Sequence, residues 1–243
     1  MPTKVRFNNF MNRSVSIVSP IYNDRHSLPF ILPELVKELK KAFRKWEIVL
    51  IDDASFDGSR EWARNYCKNI SHIKLFFHSK NEGIATTYRE LYSKAKGDII
   101  VLFSLDGEWD PGDTLRLAKT LDTENDDIVV GVRRQKRYTV WRSMVSALYN
   151  TFTSYFFGVD TRDAGSIKAF RKDVTRIPII SWGVFDEAER LIRAEKLGYR
   201  IGFLNVSHKK AAKVKRGIRM IHVWEATVDM MRVFWDIHFG KSV

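Results

Sequence analysis

Three short apolar runs near the start of the chain each end in carboxylates. The run VSIVSPIYND ends at Asp24, EIVLIDDASFDGS carries Asp52 and Asp53, and DIIVLFSLDGEWD carries Asp106 and Glu108. Runs of this length, rich in Val and Ile and bounded by turn residues, are typical of buried parallel strands. Ligands of such sheets bind beyond the carboxyl ends of the strands. The pattern therefore predicts an acidic site at one edge of a parallel sheet, which suits a sugar nucleotide and its divalent cation.

The segments between these runs predict helices that alternate with strands. Helical periodicity covers 28–44, runs through Trp62 and Tyr66, and resumes after Gly83 and at Pro111; strands are expected at 15–19, 47–51, 73–78, 98–103 and 127–132. This alternation implies an α/β fold with a mostly parallel sheet and right-handed crossovers. We expect residues 1–205 to form this unit and residues 206–243 to form a basic segment followed by an amphipathic helix.

The formal net charge of the chain is +12 at pH 7, which indicates an anionic partner such as a phosphorylated substrate, an acidic lipid surface or nucleic acid. Much of this charge lies in two basic segments, from Arg133 to Arg142 and from Lys209 to Arg219. The single cysteine, Cys67, excludes an intramolecular disulfide, and the opening residues do not resemble a secretory leader. No run of about 18 uncharged apolar residues occurs, so we expect a cytoplasmic protein that does not span a bilayer by itself.

Four motifs occur in the order and approximate spacing of family-2 glycosyltransferases with the GT-A fold: PIYND, VLIDDASFDGS, the turn at residues 81–83, and SLDGEWDPGD. The chain resembles this family over most of its length. RRQKRYTVWRSMVSALYNTFTSYFFGV and DAGSIKAFRKDV resemble the region after the catalytic core in polyprenyl-phosphate and dolichyl-phosphate sugar transferases, and FDEAERLIRAEKLGYRI fits the same subgroup. The resemblance implies a Rossmann-like GT-A sheet flanked by helices. It also implies a UDP- or GDP-sugar donor and a polyprenyl phosphate acceptor, dolichyl or undecaprenyl.

The resemblance implies a nucleotide pocket formed by Pro20, Tyr22, Asn23, Asp24, Asp52, Asp53 and, in a secondary role, Asn81. We expect Asp52 to accept hydrogen bonds from the base or ribose, and the ring of Tyr22 is suited to stacking on a base. The alternative is structural, because Asp52, Asp53 and Ser55 are also ordinary residues for a turn that caps the next helix. Asn81 and Gly83 are equally ordinary at a helix entrance.

The usual Asp-x-Asp metal motif of the family appears here as Ser104-Leu105-Asp106, so one expected carboxylate is missing. In an extended chain Ser104, Asp106 and Glu108 point the same way, which lets Glu108 restore the lost charge. We therefore expect Asp106 as the principal ligand and Glu108 as the second ligand of Mg²⁺ or Mn²⁺, since such ions often use one or two carboxylates together with substrate phosphates. The alternative is an exposed acidic turn whose Asp110 caps the helix that starts at Pro111.

A lipid phosphate is already ionised near neutral pH, so it can attack the anomeric carbon without a general base, and direct displacement inverts that centre. The resemblance places acceptor-phosphate contacts at Arg133 and Arg142, and Lys168 stands where the subgroup usually has Arg. A glycan or protein hydroxyl acceptor is the alternative and would need a base such as Asp186 or Glu187. A third hypothesis is a noncatalytic lipid- or nucleic-acid-binding relative, with Ser104 as the mark of lost activity. We expect no specific nucleic-acid partner, because no recognisable reading element is present.

Two segments have an apolar face at helical spacing. One runs from Trp141 to Phe156, and the other, from Ile221 to His238, follows a basic run. Basic residues beside a Trp-bearing apolar face suit an anionic membrane surface, so we expect peripheral attachment to the cytosolic face of a membrane. The alternatives are packing on the sheet, contact with a sister subunit, and a separate membrane-anchoring protein.

Overall fold

The computed structural model describes residues 13–133, 151, 153–209 and 220–240. The strands are β1 (Val15–Ile21), β2 (Trp46–Asp52), β3 (Ile73–Phe77), β4 (Ile99–Leu102), β5 (Ile128–Arg133), β6 (Lys168–Arg171) and β7 (Ile201–Val206). The helices are α1 (Leu28–Ala42), α2 (Ser59–Cys67), α3 (Ile84–Lys94), α4 (Pro111–Thr123), α5 (Asp186–Lys196) and α6 (Met220–Phe239), with a 3₁₀ turn at Val174–Arg176.

The strands form one sheet in the order β3-β2-β1-β4-β6-β5-β7. Every neighbouring pair is parallel except the two made by β6, which runs antiparallel to both β4 and β5. The predicted α/β fold with a mostly parallel sheet is therefore confirmed, and every predicted strand forms. The sequence did not predict β6 or β7, and β6 rather than β5 is the strand that pairs with β4.

The central strands β1, β2 and β4 are buried on both faces, which explains why they are nearly continuous apolar runs. One core contains residues of α1, α2 and α4 together with inward residues of β1, such as Ile17. The other contains residues of α3, α5 and α6 together with the opposite face of the same strand, such as Val18. Parallel strands covered by helices in this way end together at one edge, and the loops after β1, β2 and β4 meet there.

Helix α4 begins as the sequence predicts. Asp110 is its N-cap, and the Asp110 side chain accepts a hydrogen bond of 2.9 Å from the backbone N–H of Gly112. Pro111 follows at the first helical position, where its missing N–H costs nothing. This start fixes the direction in which the chain leaves the acidic loop after β4.

Helix α6 buries only one of its faces. Ala226, Asp229 and Val233 are buried, and Val233 belongs to the core that α3 and α5 share. The predicted apolar stripe lies mostly elsewhere, because Trp224 and Trp235 are exposed. Within the part of the chain that the structure describes, no helix combines the length and apolarity needed to cross a membrane. Most of the other predicted stripe, from Trp141 to Phe156, lies outside the described residues.

Candidate active site

Asp53 holds together the loops at the carboxyl ends of the strands. Its backbone N–H donates to Ile21 O at 2.9 Å, and its carboxylate accepts from the His78 ring at 2.7 Å. The same carboxylate accepts from the backbone N–H groups of Glu82 at 2.7 Å and Gly83 at 3.1 Å, where α3 begins. These bonds favour the structural alternative for Asp53, which stabilises the entrance of α3 instead of facing a ligand. The predicted nucleotide contact of this side chain remains a prediction.

Asn81 belongs to the same loop junction. Its side-chain amide donates to Asp53 O over 3.4 Å, and the residue is otherwise exposed. Asn81 therefore lies beside the loop that Asp53 fastens, and its secondary role in nucleotide binding stays a prediction. Pro20 lies inside β1, opposite Ile51 of β2, and two residues before Tyr22, which opens the loop after β1.

Asp52 has one carboxylate oxygen in use and one without a partner. Its Oδ2 accepts from the Arg60 guanidinium at 2.7 Å and from the Ser55 backbone N–H at 3.2 Å. Its Oδ1 is buried and has no hydrogen-bond partner. Buried polar atoms are normally satisfied, so an unpartnered carboxylate oxygen at the end of β2 is prepared to accept a hydrogen bond from a ligand. This geometry fits the predicted contact with a base or ribose.

The loop after β1 is fastened to the loop after β2 by Asn23. The backbone of Asn23 is left-handed with φ 58°, a conformation that Asn tolerates better than most residues. Its N–H donates to Ser55 Oγ at 3.0 Å, and its side-chain oxygen accepts from the Phe56 N–H at 3.0 Å. Two exposed rings, Tyr22 and Phe56, are thereby held edge to face with centroids 6.3 Å apart. Phe56 is a candidate base-stacking residue that the sequence reasoning missed.

Asp24 closes the same loop. Its carboxylate accepts from the Tyr22 backbone N–H at 3.1 Å, and its own N–H donates to Ser59 Oγ at 2.9 Å. Asp24 therefore orients Tyr22 and links the loop to the first turn of α2.

The acidic loop after β4 is a turn, not the extended chain assumed from the sequence. Gly107 has φ 84°, and Asp106 Oδ1 accepts from the Glu108 backbone N–H at 2.9 Å. The alternation that was expected to align Ser104 with the two carboxylates therefore does not apply. The turn nevertheless keeps Asp106 and Glu108 adjacent, because the bond between them spans only two residues. Leu105 is fully buried and anchors the loop to the core.

His208 joins this loop from the far end of the chain. It follows β7 and forms an antiparallel bridge with Trp109, while the Lys209 backbone N–H donates to Glu108 O at 2.7 Å. The His208 Nε2 lies 3.6 Å from Glu108 Oε2, and both ring nitrogens are buried without a hydrogen bond. Burial and the nearby Arg133 hold the pKa of His208 below its usual value, although Glu108 and Asp106 act in the opposite direction. The imidazole is therefore neutral near pH 7.

The sequence reasoning did not identify His208, because nothing local to it marks a site. A histidine directly after a predicted strand would have been the available signal, and β7 itself was not predicted. Asp106, Glu108 and His208 together offer two carboxylates and a neutral imidazole with unsatisfied nitrogens. These are donor types that fit a divalent cation such as Mn²⁺. Their side chains are not drawn together into a preformed cage, since the described residues contain no cluster of three such groups in metal-binding geometry.

Arg133 ends β5 beside this loop. Its guanidinium donates to Asp163 Oδ1 through Nε at 3.0 Å and Nη2 at 2.6 Å, while its backbone N–H donates to Asp163 Oδ2 at 2.8 Å. The same guanidinium lies 5.6 Å from the Trp109 ring centroid. Asp163 therefore fixes the direction of Arg133 towards the acidic loop. Arg142, the other predicted phosphate contact, lies outside the described residues.

Lys168 does not face solvent as a free cation, in contrast to the expectation for a phosphate contact. It is fully buried, and its Nζ donates to Ala164 O at 2.6 Å and to Glu187 Oε2 at 2.9 Å. An ammonium group buried at this depth requires a carboxylate partner, and Glu187 supplies it. This pairing supports a structural role for Lys168 and leaves the phosphate contact as a prediction only.

Two further carboxylates lie at the start of α5. Burial opposes the ionisation of Glu187, but Lys168 and Arg190 hold its pKa below the usual value. Burial raises the pKa of Asp186 to about 7, and the charge of Glu187 acts in the same direction. Asp186 Oδ2 is buried without a hydrogen-bond partner. Burial raises the pKa of Tyr88, and Glu187, Asp186 and Asp106 raise it further, so these carboxylates share one neighbourhood.

The fold and the site together indicate the class of enzyme to which the chain is similar. An α/β sheet with acidic loops after its parallel strands superimposes on GT-A glycosyltransferases. Glucosyl-3-phosphoglycerate synthase from Mycobacterium tuberculosis, in complex with Mn²⁺, UDP and phosphoglyceric acid, matches with a TM-score of 0.70 and 15% identity over 93% of this chain and 78% of that one. A mannosyltransferase from Pyrobaculum calidifontis, in complex with GDP-Man and Mn²⁺, matches with a TM-score of 0.63 and 19% identity over 93% of this chain and 66% of that one.

The family follows from the sequence. Residues 16–210 match glycosyl transferase family 2, so the chain belongs to that family. An undecaprenyl-phosphate 4-deoxy-4-formamido-L-arabinose transferase from Proteus mirabilis is 30% identical over 66% of this chain and 49% of the relative. The enzyme of the same name from Salmonella choleraesuis is 29% identical over 67% of this chain and 50% of the relative. The predicted resemblance to polyprenyl-phosphate sugar transferases is confirmed. The chain spans about half the length of these curated relatives.

Proposed function

We propose that this glycosyltransferase moves a sugar from a nucleotide-sugar donor to a polyprenyl phosphate, with a divalent cation and with inversion at the anomeric carbon. The relatives carry the acceptor assignment, because those described above are named as undecaprenyl-phosphate sugar transferases. The geometry supports the donor assignment through the unpartnered Oδ1 of Asp52 and the aromatic pair Tyr22 and Phe56.

Asp106, Glu108 and His208 would hold the cation. The support for this assignment is that both ring nitrogens of His208 are buried without a hydrogen-bond partner. Nε2 lies 3.6 Å from Glu108 Oε2. An imidazole in the donor set favours Mn²⁺ over Mg²⁺, which prefers oxygen ligands and retains its waters. When bound, the cation neutralises charge on the departing nucleoside diphosphate. The two structural neighbours described above are complexes with Mn²⁺, which supports the choice of a divalent cation.

The residues of the chain have two tasks in the proposed reaction. One is to hold the donor, which we assign to the loops after β1 and β2. The other is to align an acceptor phosphate opposite the leaving group, so that a phosphate oxygen bonds to the anomeric carbon as the bond to the diphosphate breaks. We assign part of this alignment to Arg133, because Nε and Nη2 of its guanidinium both donate to Asp163 Oδ1 and this fixes its direction. No proton has to be removed from the acceptor, since it is already an anion.

The test is sugar transfer from a panel of UDP- and GDP-sugars to a short polyprenyl phosphate, with Mn²⁺, Mg²⁺ or a chelator. Asp106→Asn and His208→Gln keep the size of each side chain, and we expect each to reduce metal-dependent transfer by at least tenfold. Glu34→Gln on the exposed side of α1 is the matched control and should retain wild-type activity. If transfer kept its full rate in the presence of chelator, or in both Asp106→Asn and His208→Gln, the metal assignment would be excluded.

A hydroxyl acceptor is the second candidate, and one observation favours it. A general base works best when its pKa lies near the operating pH, and that of Asp186 is raised to about 7. If a glycan or protein hydroxyl is the acceptor, the rate should rise with pH through about 7 and Asp186→Asn should abolish transfer. Transfer to the lipid phosphate should instead survive Asp186→Asn, and this contrast separates the two functions.

A further inference from the structure

A cationic cleft lies away from the acidic loops after β1, β2 and β4, although its wall includes Arg190, which pairs with Glu187. Its volume is about 740 Å³, and half of its lining residues are lysine or arginine. Lys74 lies near the start of β3, Lys96 comes shortly before β4, and Lys172 directly follows the antiparallel strand β6. These positions place the cleft at the amino-terminal ends of the parallel strands, opposite the edge that carries the acidic loops. Among the described residues, no aspartate or glutamate lines it.

The positive charge of the cleft is only partly neutralised. Three of its cations have carboxylate partners behind the wall: Lys74 with Glu47, Lys94 with Glu90, and Arg190 with Glu187. Lys96, Lys172 and Arg176 form no ion pair with any residue that the structure describes, and Lys172 Nζ donates only to Lys96 O, at 3.2 Å. Arg89 donates through Nη2 to Ser181 O, but its Nε is buried without a hydrogen-bond partner. A buried donor without a partner is costly, so the cleft is built to receive an anion.

An exposed aromatic surface adjoins the cleft. Arg89 and Ile179 line both the cleft and a second cavity of about 470 Å³, whose other wall includes Trp182 and Trp235. These two tryptophans are 76% and 67% exposed. Trp235 belongs to a ridge of large apolar side chains at helical spacing along α6, all of them exposed: Trp224, Val228, Met231, Trp235 and Phe239. Tryptophan on an exposed helix face beside basic residues is typical of a membrane interface.

We propose that the cationic cleft binds the headgroup phosphate of an acidic membrane lipid, while the aromatic ridge of α6 lies in the interfacial layer of the bilayer. Charge complementarity selects this occupant. A second copy of the chain would bring a like charge of +12 to a cationic surface, which disfavours self-association there. A small soluble anion would use the cleft but leave the aromatic ridge uncovered. A lipid surface uses both, because phosphates and the interfacial layer occur together.

Binding to vesicles tests the proposal without any donor or transfer assay. The protein is sedimented with phosphatidylcholine vesicles that contain or lack phosphatidylglycerol. Lys96→Ala/Arg176→Ala removes two of the four cleft cations that have no carboxylate partner among the described residues, and Lys37→Ala/Lys40→Ala removes two exposed cations from α1 on the other side of the sheet. All variants keep both basic segments of the sequence. We expect the cleft variant to lose about tenfold or more in partition to acidic vesicles and the control variant to lose much less. Trp235→Ala should also weaken binding.

Several outcomes would overturn the proposal. Equal losses in the two double variants would mean that net charge, not the cleft, determines binding. In a second outcome, inorganic diphosphate protects the wild type but not the cleft variant against thermal unfolding, and the two bind vesicles equally well. That result would assign the cleft to a soluble anion. A change of oligomeric state in Trp235→Ala, measured by light scattering without vesicles, would assign the ridge to contact between copies. Failure of the proposed sugar transfer would leave the vesicle result unaffected, so the two proposals are tested separately.

Discussion

At the residue scale, Asp52 gives the sharpest test of the donor site. In Asp52→Asn, the side-chain oxygen is expected to face the Arg60 guanidinium and the Ser55 N–H, because both are donors. The amide NH₂ then occupies the position of the unpartnered Oδ1 and presents donors where the ligand expects an acceptor. We predict at least tenfold weaker nucleotide binding, measured by calorimetry, since hydrogen bonds to charged groups contribute about 1.5–3 kcal/mol.

The matched control for this prediction is Arg60→Gln. It removes the same ion pair but leaves the carboxylate of Asp52 in place. We expect both variants to unfold at a lower denaturant concentration than the wild type, and only Asp52→Asn to lose nucleotide affinity. Equal affinity losses in the two variants would show that Asp52 acts only through the loop that it stabilises.

His208 predicts a definite dependence of metal affinity on pH. A proton competes with the metal for the imidazole, and the pKa of His208 is lowered from its usual 6.5 by burial and by Arg133. Mn²⁺ affinity should therefore fall as the pH drops through this lowered pKa, by about tenfold per pH unit from this proton once the pH lies below it. In His208→Gln we expect weaker Mn²⁺ binding, and we expect the part of its pH dependence that comes from the imidazole to be absent. An identical pH profile in the variant, measured by Mn²⁺ titration, would exclude His208 as a ligand.

Asp186 predicts a dependence of stability on pH. Burial raises its pKa in the folded state to about 7, whereas the unfolded value is near 3.8, so the folded chain binds more protons between these values. This residue's contribution to stability therefore falls as pH rises from about 4 to 7 and then stays constant. Asp186→Asn should be roughly neutral at pH 4.5 and stabilising by a few kcal/mol at pH 8, measured by urea unfolding. Glu189→Gln is not an equivalent control, because Glu189 accepts several hydrogen bonds, and Glu195→Gln is not one either, because burial raises the pKa of Glu195 as well. Glu34→Gln on the exposed side of α1 is the suitable control.

At the scale of elements, the cap of α4 is the simplest case. Asp110 accepts from the Gly112 N–H, and replacing such a cap by alanine typically costs about 1 kcal/mol. We predict that Asp110→Ala lowers the free energy of unfolding by about this amount, whereas Asp110→Asn, which retains a capping oxygen, changes it little. Urea titration of both variants measures the difference. If Asp110→Ala also reduced transfer activity under conditions in which the variant is fully folded, the helix start would be shown to position the acidic loop as well.

The same scale shows what local sequence determines. Strands β1, β2 and β4 are predictable because each is a continuous apolar run that ends in turn residues. Strand β6 is not, since KAFR is only four residues long and begins and ends with a cation. Its Lys168 is buried because Glu187 lies against it, and no pattern around Lys168 announces that contact. His208 reaches Glu108 through a bridge to Trp109, a pairing of segments about 100 residues apart in sequence. Nonlocal contacts of this kind can be identified only from the folded structure.

At the scale of the whole molecule, charge is divided between the two edges of the sheet. The carboxyl ends of the parallel strands carry Asp52, Asp106 and Glu108, and the cationic cleft lies at the opposite ends. The acidic edge on its own would repel a nucleotide diphosphate, which is why the proposed donor site includes a divalent cation. The cleft needs no metal ion to bind an anion, because its lysine and arginine side chains outnumber the carboxylates that pair with them. The two edges are therefore suited to different anions.

This division predicts how transfer responds to salt. Exposed charges farther apart than about 10 Å are largely screened at 0.1 M ionic strength, whereas buried pairs such as Lys168 with Glu187 are not. Raising NaCl from 50 to 500 mM should therefore reduce transfer to a long-chain polyprenyl phosphate in acidic vesicles much more than transfer to a water-soluble short-chain acceptor. Lys96→Ala/Arg176→Ala should reproduce the high-salt behaviour at low salt, and Lys37→Ala/Lys40→Ala should not. If salt reduced both reactions equally, the charge effect would lie in the active site and not in attachment to the membrane.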